Sequence, residues 1–156
     1  MVIDELFRKS IHQSSKIVES ENCTWDFIRN AKNCHSCFYV FEWAENAKYM
    51  CNTWLKVEYV MDGDAVWAEW WYVYESINTA LKSYYNAFCF RAWGVNHSFY
   101  VSECDFSSHL FLCTWLRHKQ YCILNKQYTK EEYETLVPRI IEKMISDWEW
   151  GEFFPP

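Results

Sequence analysis

Residues 31–42 read AKNCHSCFYVFE, and the fold turns on whether Cys34 and Cys37 are half of a metal site or one rung of a repeat. The surrounding sequence favours a repeat. SENCTW carries Asn22 and Cys23, AKNCHS carries Asn33 and Cys34, AENAKY carries Asn46 and Ala47, and KVEYVM carries Glu58 and Tyr59. The successive intervals are 11, 13 and 12. The phase returns at Asn96, Ser108 and Gln120 in steps of 12, with Trp71 and Tyr84 as loose fits between. A period near 12 is too short for paired-helix repeats, whose units run to about 33 residues or more. It suits a parallel β-solenoid whose coils stack at about 4.8 Å, the spacing of neighbouring strands. A coil of about 25 residues holding two such units would fit the same phase.

The predicted fold is therefore mainly β, a short-period parallel β-solenoid. Asparagines at equivalent places would bond their copies above and below, and they tolerate the left-handed backbone of a corner. That suits a chain with only three glycines and three prolines, whose corners are expected to use Asn, Asp and Ser. Strand-like runs recur as FYVFEW, WLKVEYVM, WWYVYE, AFCFRAW, SFYVS and HLFLCTW.

Read this way, Cys34 is the mate of Cys23 and Ala47, a small inward position that a metal ligand could not share with alanine. A zinc site would need Cys34, Cys37 and two more ligands, and no second C-x-x-C supplies them. No cofactor is expected, with zinc as the weaker alternative. The eight cysteines read as reduced core thiols, which places the protein in the cytoplasm.

The ends look different. Thr129-Lys130-Glu131-Glu132 is a T-x-x-E capping box, and apolar residues follow at helical spacing from Tyr133 to Trp148. Pro138 predicts a kink or two helices there. Ile3, Leu6, Phe7 and Ile11 suggest an N-terminal helix. The chain divides as one domain over 1–156: an N-terminal cap over 1–19, the solenoid over 20–128, and a C-terminal helix and tail over 129–156.

The segment HLFLCTWLRHKQYCILNKQYTKEEYE, 109–134, resembles a cysteine-rich repeat family of candidate-phyla bacteria with an LFGCxGLRNKQYCILNKQYTKEEYE-like stretch. AKNCHSCF and WYVYE are similar to its N-C-x-x-C-F units and its CYE-like motif. The resemblance covers about residues 20 to 145, implies a repeat fold and brings no catalytic residues. Leu112 and Trp115 stand where that pattern has glycines, which points to strained or altered corners.

The net charge is −6 and the 15 Lys and Arg form no basic stripe, so no nucleic-acid partner is expected. No apolar run approaches the length a membrane helix needs, so no membrane span is expected. Aromatics make up 21% of the chain. Trp43, Trp54, Trp67, Trp93 and Trp115 recur near the period and could form a column on one face, a stacking platform or simply packing. Stacked His97 and His109 could form an acid/base pair with Glu103 or Asp105, with polar corners as the plainer reading. Asp62 and Asp64 in MDGDA lack the other ligands of a calcium loop. The function expected is a structural or protein-interaction module, non-enzymatic, binding a protein partner or its own copy. The alternative is a carbohydrate- or small-ligand-binding module, or a glycan-active enzyme, along the Trp column, with Glu69 and Glu75 as its acidic pair.

Overall fold

The computed structural model describes residues 16–54, 57–67, 70–79 and 82–152. The N-terminal apolar stripe from Ile3 to Ile11 lies outside these residues, as do positions 153–156 of the tail. The strands run in chain order as β1 (Ile17–Val18), β2 (Trp25–Lys32), β3 (Cys37–Glu45), β4 (Cys51–Trp54), β5 (Val57–Trp67), β6 (Trp70–Ile77), β7 (Tyr84–Phe90), β8 (Ser98–Ser102), β9 (Ser108–Thr114), β10 (Gln120–Ile123) and β11 (Lys126–Gln127). Each pairs with the next, in parallel, until β11 turns back antiparallel on β10. This is a parallel β-solenoid with a period of about 12 residues, closed by a C-terminal helix, as the repeat predicts.

The coil is built from triplets. From Tyr85 to Leu124 every third residue has a left-handed backbone, with φ between 45° and 63°. Each such residue makes a corner. The residue after it points inward, and the next points out. Four triplets close one coil. The inward positions Cys89, Ala92, Val95, Ser98, Val101, Cys104, Ser107, Leu110 and Cys113 are all buried, at intervals of three.

Inward columns then run the length of the tube. One holds Cys23, Cys34, Ala47, Val60, Val73, Asn86, Ser98, Leu110 and Cys122. Small polar groups are common there because they serve the backbone. Ser98 Oγ donates to the carbonyl of Asn96 (2.8 Å) and accepts from the N–H of Leu110 in the next coil (3.0 Å). Ser107 does the same with Asp105 and Lys119, and Cys104 with Ser102 and Leu116. A sharp corner every three residues turns some backbone groups away from the ladder, and buried groups left unpaired are costly. The serines and thiols take them up.

The register departs from uniform steps of 12. It is 11 from Ile17 to Ile28 and 12 from Trp25 to Cys37. It becomes 13 from Ala31 to Ala44, from Val57 to Trp70 and from Trp71 to Tyr84, then 12 again from Asn86 onward. The thirteenth residue sits on one side only, where inward Val40 and Ala44 are four apart rather than three. This corrects one expectation. Asn46 is level with Tyr59, not Glu58, because Glu45 pairs with Glu58. Downstream, the line from Glu58 through Trp71, Tyr84, Asn96 and Ser108 to Gln120 is a true column.

Corner chemistry also departs from expectation. Asn22, Asn30, Asn33, Ser36, Asn46, Asp62 and Asn78 hold corners as anticipated, but so do Tyr, Phe, His, Leu, Trp, Arg and Glu. Leu112 (φ 52°) and Trp115 (φ 58°), the two residues standing for glycines of the resembled pattern, are both left-handed corners.

Helix α1 spans Lys130–Ser146 and starts at Thr129 with both hydrogen bonds of the capping box in place, 2.9 and 3.2 Å. It runs through Pro138 as one helix rather than two. A proline inside a helix removes one backbone bond and costs about 3 kcal/mol. Packing of Tyr133, Leu136, Val137, Ile140, Ile141 and Met144 against Phe99, Phe111 and Ile123 offsets that cost. Trp150 then lies edge-on to Phe88 and Tyr100, and the Gly151 N–H donates to Tyr100 Oη at 2.7 Å.

Candidate functional site

The corner that carries Asn22, Asn33 and Asn46 continues as Tyr59, Tyr72, Tyr85, His97, His109 and Tyr121, all left-handed. At the first rungs Asn22 Nδ2 donates to Asn33 Oδ1 at 2.9 Å, the expected asparagine ladder. Beyond Asn46 the rungs become rings. Successive centroids are 5.1, 4.9, 5.2, 5.0 and 4.8 Å apart, with interplanar angles of 4°, 14°, 27°, 4° and 34°. The spacing follows from the backbone. Parallel strands set equivalent side chains about 4.8 Å apart, and identical corners point them the same way.

The column is half open to solvent. Tyr59, Tyr72 and Tyr85 are 49%, 49% and 50% exposed, and His97 is exposed. At the C-terminal end Tyr133 of α1 packs edge-on against His109 and Tyr121, which are half-buried. Tyr84 lies edge-on to both Tyr85 and His97. The flanking outward column changes character along the axis, from Glu45 and Glu58 beside the first rungs to Asn96, Ser108 and Gln120 beside the last.

His97 and His109 do stack, at 5.0 Å. Burial lowers His109 below the ordinary histidine range, and neighbouring His97 acts in the same direction. The acids proposed for them stand on other columns. Glu103 pairs with Arg91 at 2.8 Å and Asp105 with Arg117 at 2.9 Å.

The five tryptophans do not fall in one file. Trp54 and Trp67 are in register, with Phe41 preceding them. Trp93, 48% exposed, belongs further along that side, level with Asp105 and Arg117. Trp115, 77% exposed, is a corner residue level with Glu103, and Trp43 lies just before the inward Ala44. Of the acidic pair raised for glycan chemistry, Glu75 is a half-buried corner residue beside Tyr74, and Glu69 lies outside the described residues.

Cys34 and Cys37 are fully buried in two adjacent inward columns. Their thiols donate to the carbonyls of Lys32 and His35, at 3.4 Å each. The neighbouring Cys37 thiol, with burial, holds the Cys34 thiol far above its ordinary range, and the same interaction draws Cys37 down. Burial pushes Cys89 up to about 12 and Cys104 up to about 11. All eight cysteines are free, and no group of three or more His, Cys, Asp or Glu among the described residues converges to hold a metal ion.

The tyrosine column is the feature that sequence reasoning missed. Its signal was present as the series 59, 72, 85, 97, 109, 121, but finding it requires the thirteen-residue coils. Among the described residues no helix is long and apolar enough to cross a membrane. No family model, curated protein or solved structure matches the chain.

Proposed function

We propose that the protein is a structural or protein-interaction repeat module that docks a protein partner along the exposed aromatic column. One observation carries the reading: four consecutive rungs, Tyr59 to His97, stand open at a uniform spacing near 5 Å. Each ring is held by its neighbours, so little side-chain freedom is lost on binding, and tyrosine is enriched at protein interfaces for that reason. The ring faces are already occupied by one another. What the column offers outward is ring edges and hydroxyls, which suits a protein surface better than a sugar or a base that needs an open face. The acidic flank at Glu45 and Glu58 disfavours nucleic acid and anionic membranes. Free, buried thiols with raised pKa suit a reducing compartment such as the cytoplasm.

A benzophenone amino acid placed at Tyr72, in the full chain expressed in cells, tests the reading. It is expected to yield one discrete crosslinked protein adduct, which the same group at Asp64 on another side does not give. No adduct at Tyr72, or equal adducts at both places, would overturn it. A glycan array run on the purified protein addresses the carbohydrate alternative, where binding lost on changing Trp54 would favour that reading instead.

A further inference from the structure

We propose that the partner seated on the column is a second copy of this chain, antiparallel to the first, with a two-fold axis between the Tyr72 and Tyr85 rungs. The proposal rests on the docking reading above. Tyr72 of each copy then faces Tyr85 of the other, and Tyr59 faces His97.

Three features select this occupant. The first is period. A partner that engages four rungs at once must itself repeat at about 5 Å along a line. An extended strand spaces same-face side chains about 7 Å apart and falls out of step within two rungs. A second copy of the column is in step by construction.

The second is area. Half-exposed aromatic rings each offer on the order of 100 Å². Four such rings, with half-exposed Met61, Tyr74 and Tyr84 beside them, make a two-copy interface at the low end of the specific size range. Tyr133 of α1 covers the rungs at His109 and Tyr121, which limits the strip to the four rungs that the two-fold axis divides evenly.

The third is charge. Antiparallel seating sets Glu58 opposite Asn96 and Glu45 opposite Ser108, so each carboxylate meets a neutral group. Parallel seating needs a two-fold along the columns, which carries Glu45 and Glu58 to the side away from the partner's own flank and gives them no such matched residues. A symmetric antiparallel pair also closes on itself, with no free edge of the strip left to recruit a third copy.

Light scattering after size exclusion, on the full chain at high micromolar concentration, is expected to give a dimer. Tyr72→Asn with Tyr85→Asn should weaken it roughly tenfold or more, as loss of central interface aromatics does. Asparagine already occupies this column at Asn22, Asn33 and Asn46 with the same backbone, so circular dichroism should be unchanged. Trp115→Asn, on another corner, should leave the dimer as it is. Orientation is read separately: Ser108→Lys should tighten the dimer against Glu45, and Ser108→Glu should weaken it. A monomer at that concentration overturns the self-pairing and leaves the Tyr72 crosslink to judge the docking reading. A dimer that survives the double asparagine change, or one indifferent to charge at 108, overturns it as well.

Discussion

The same substitution at two corners should have opposite effects. Tyr72 (φ 55°) and Trp115 (φ 58°) share one backbone conformation, which costs an L-residue with a bulky side chain roughly 1–2 kcal/mol and which asparagine tolerates. Tyr72 is stacked on both sides, at 5.1 and 4.9 Å, and is half-buried. Asparagine there forfeits two ring pairs at about 0.5–1.5 kcal/mol each, plus the apolar area of half a ring. Relief of about 1 kcal/mol at the backbone offsets part of this, so Tyr72→Asn should destabilise by about 2 kcal/mol. Trp115 is 77% exposed and its column neighbours are Glu103 and Arg91 rather than rings. Trp115→Asn loses little and should stabilise by about 0.5–1 kcal/mol. For a chain of this size that is a Tm lower by about 4–8 °C for the first and higher by about 1–4 °C for the second. Calorimetry measures both, and hydrogen exchange should place the Tyr72 effect in the coils from Tyr59 to Tyr85, since repeat stability is largely a nearest-neighbour matter. If Tyr72→Asn stabilises as Trp115→Asn does, ring stacking is not what holds bulky residues at these corners, and the reasoning fails.

Other outcomes follow from the interior. Ser98→Ala strands the Leu110 N–H, while the Asn96 carbonyl keeps the His109 N–H, and should cost about 1–2 kcal/mol in chemical denaturation, whereas Ser98→Cys, the arrangement found at Cys104, should cost well under half of that. If the cysteines are rungs, a chelator leaves the Tm unchanged and Cys34→Ala, matching Ala47 in its column, costs about 1 kcal/mol; stoichiometric zinc on the purified protein would contradict this. Stability should fall with acid near His109. Its folded pKa is lowered, so the unfolded chain binds the proton more readily. The stabilisation is present above pH 6.5 and is lost as pH falls from there through the lowered value. His109→Tyr, using the residue of the next rung, should flatten that part of the pH–Tm profile, and an unchanged slope would place the titration elsewhere.

Much of the architecture was legible because it is written in residues with strong local meaning. Asn22-Cys23, Asn33-Cys34 and Asn46-Ala47 mark a corner followed by a small inward rung, and the backbone angles and burial agree. Thr129 with Glu132 marks the start of α1, and the twelve-residue interval between His97 and His109 brings their rings together. The tyrosine column was not legible in the same way. Tyr59, Tyr72 and Tyr85 occupy a conformation that tyrosine alone avoids, so no single position announces a corner. The steps of 13 also carry the phase one residue off a uniform period, which is why Asn46 pointed to Glu58 rather than Tyr59. The tryptophans show the converse. Their intervals of 11 and 13 look periodic, but only Trp54 and Trp67 of that first trio pair across neighbouring strands.

The sequence by itself determined the class of fold, the period, the inward fate of the cysteines other than Cys51, which stands on an outward column level with Phe38 and Asp64, and the helix that closes the C-terminal end. Each rests on a preference that one residue, or one short motif, expresses without help from the rest of the chain. The tertiary structure decided which corners carry rings, where the extra residue of each long coil sits, and which tryptophans share a side. Those depend on contacts between positions a full coil apart. A tyrosine's left-handed backbone is unfavourable alone and becomes acceptable only when the coils above and below supply rings to stack on.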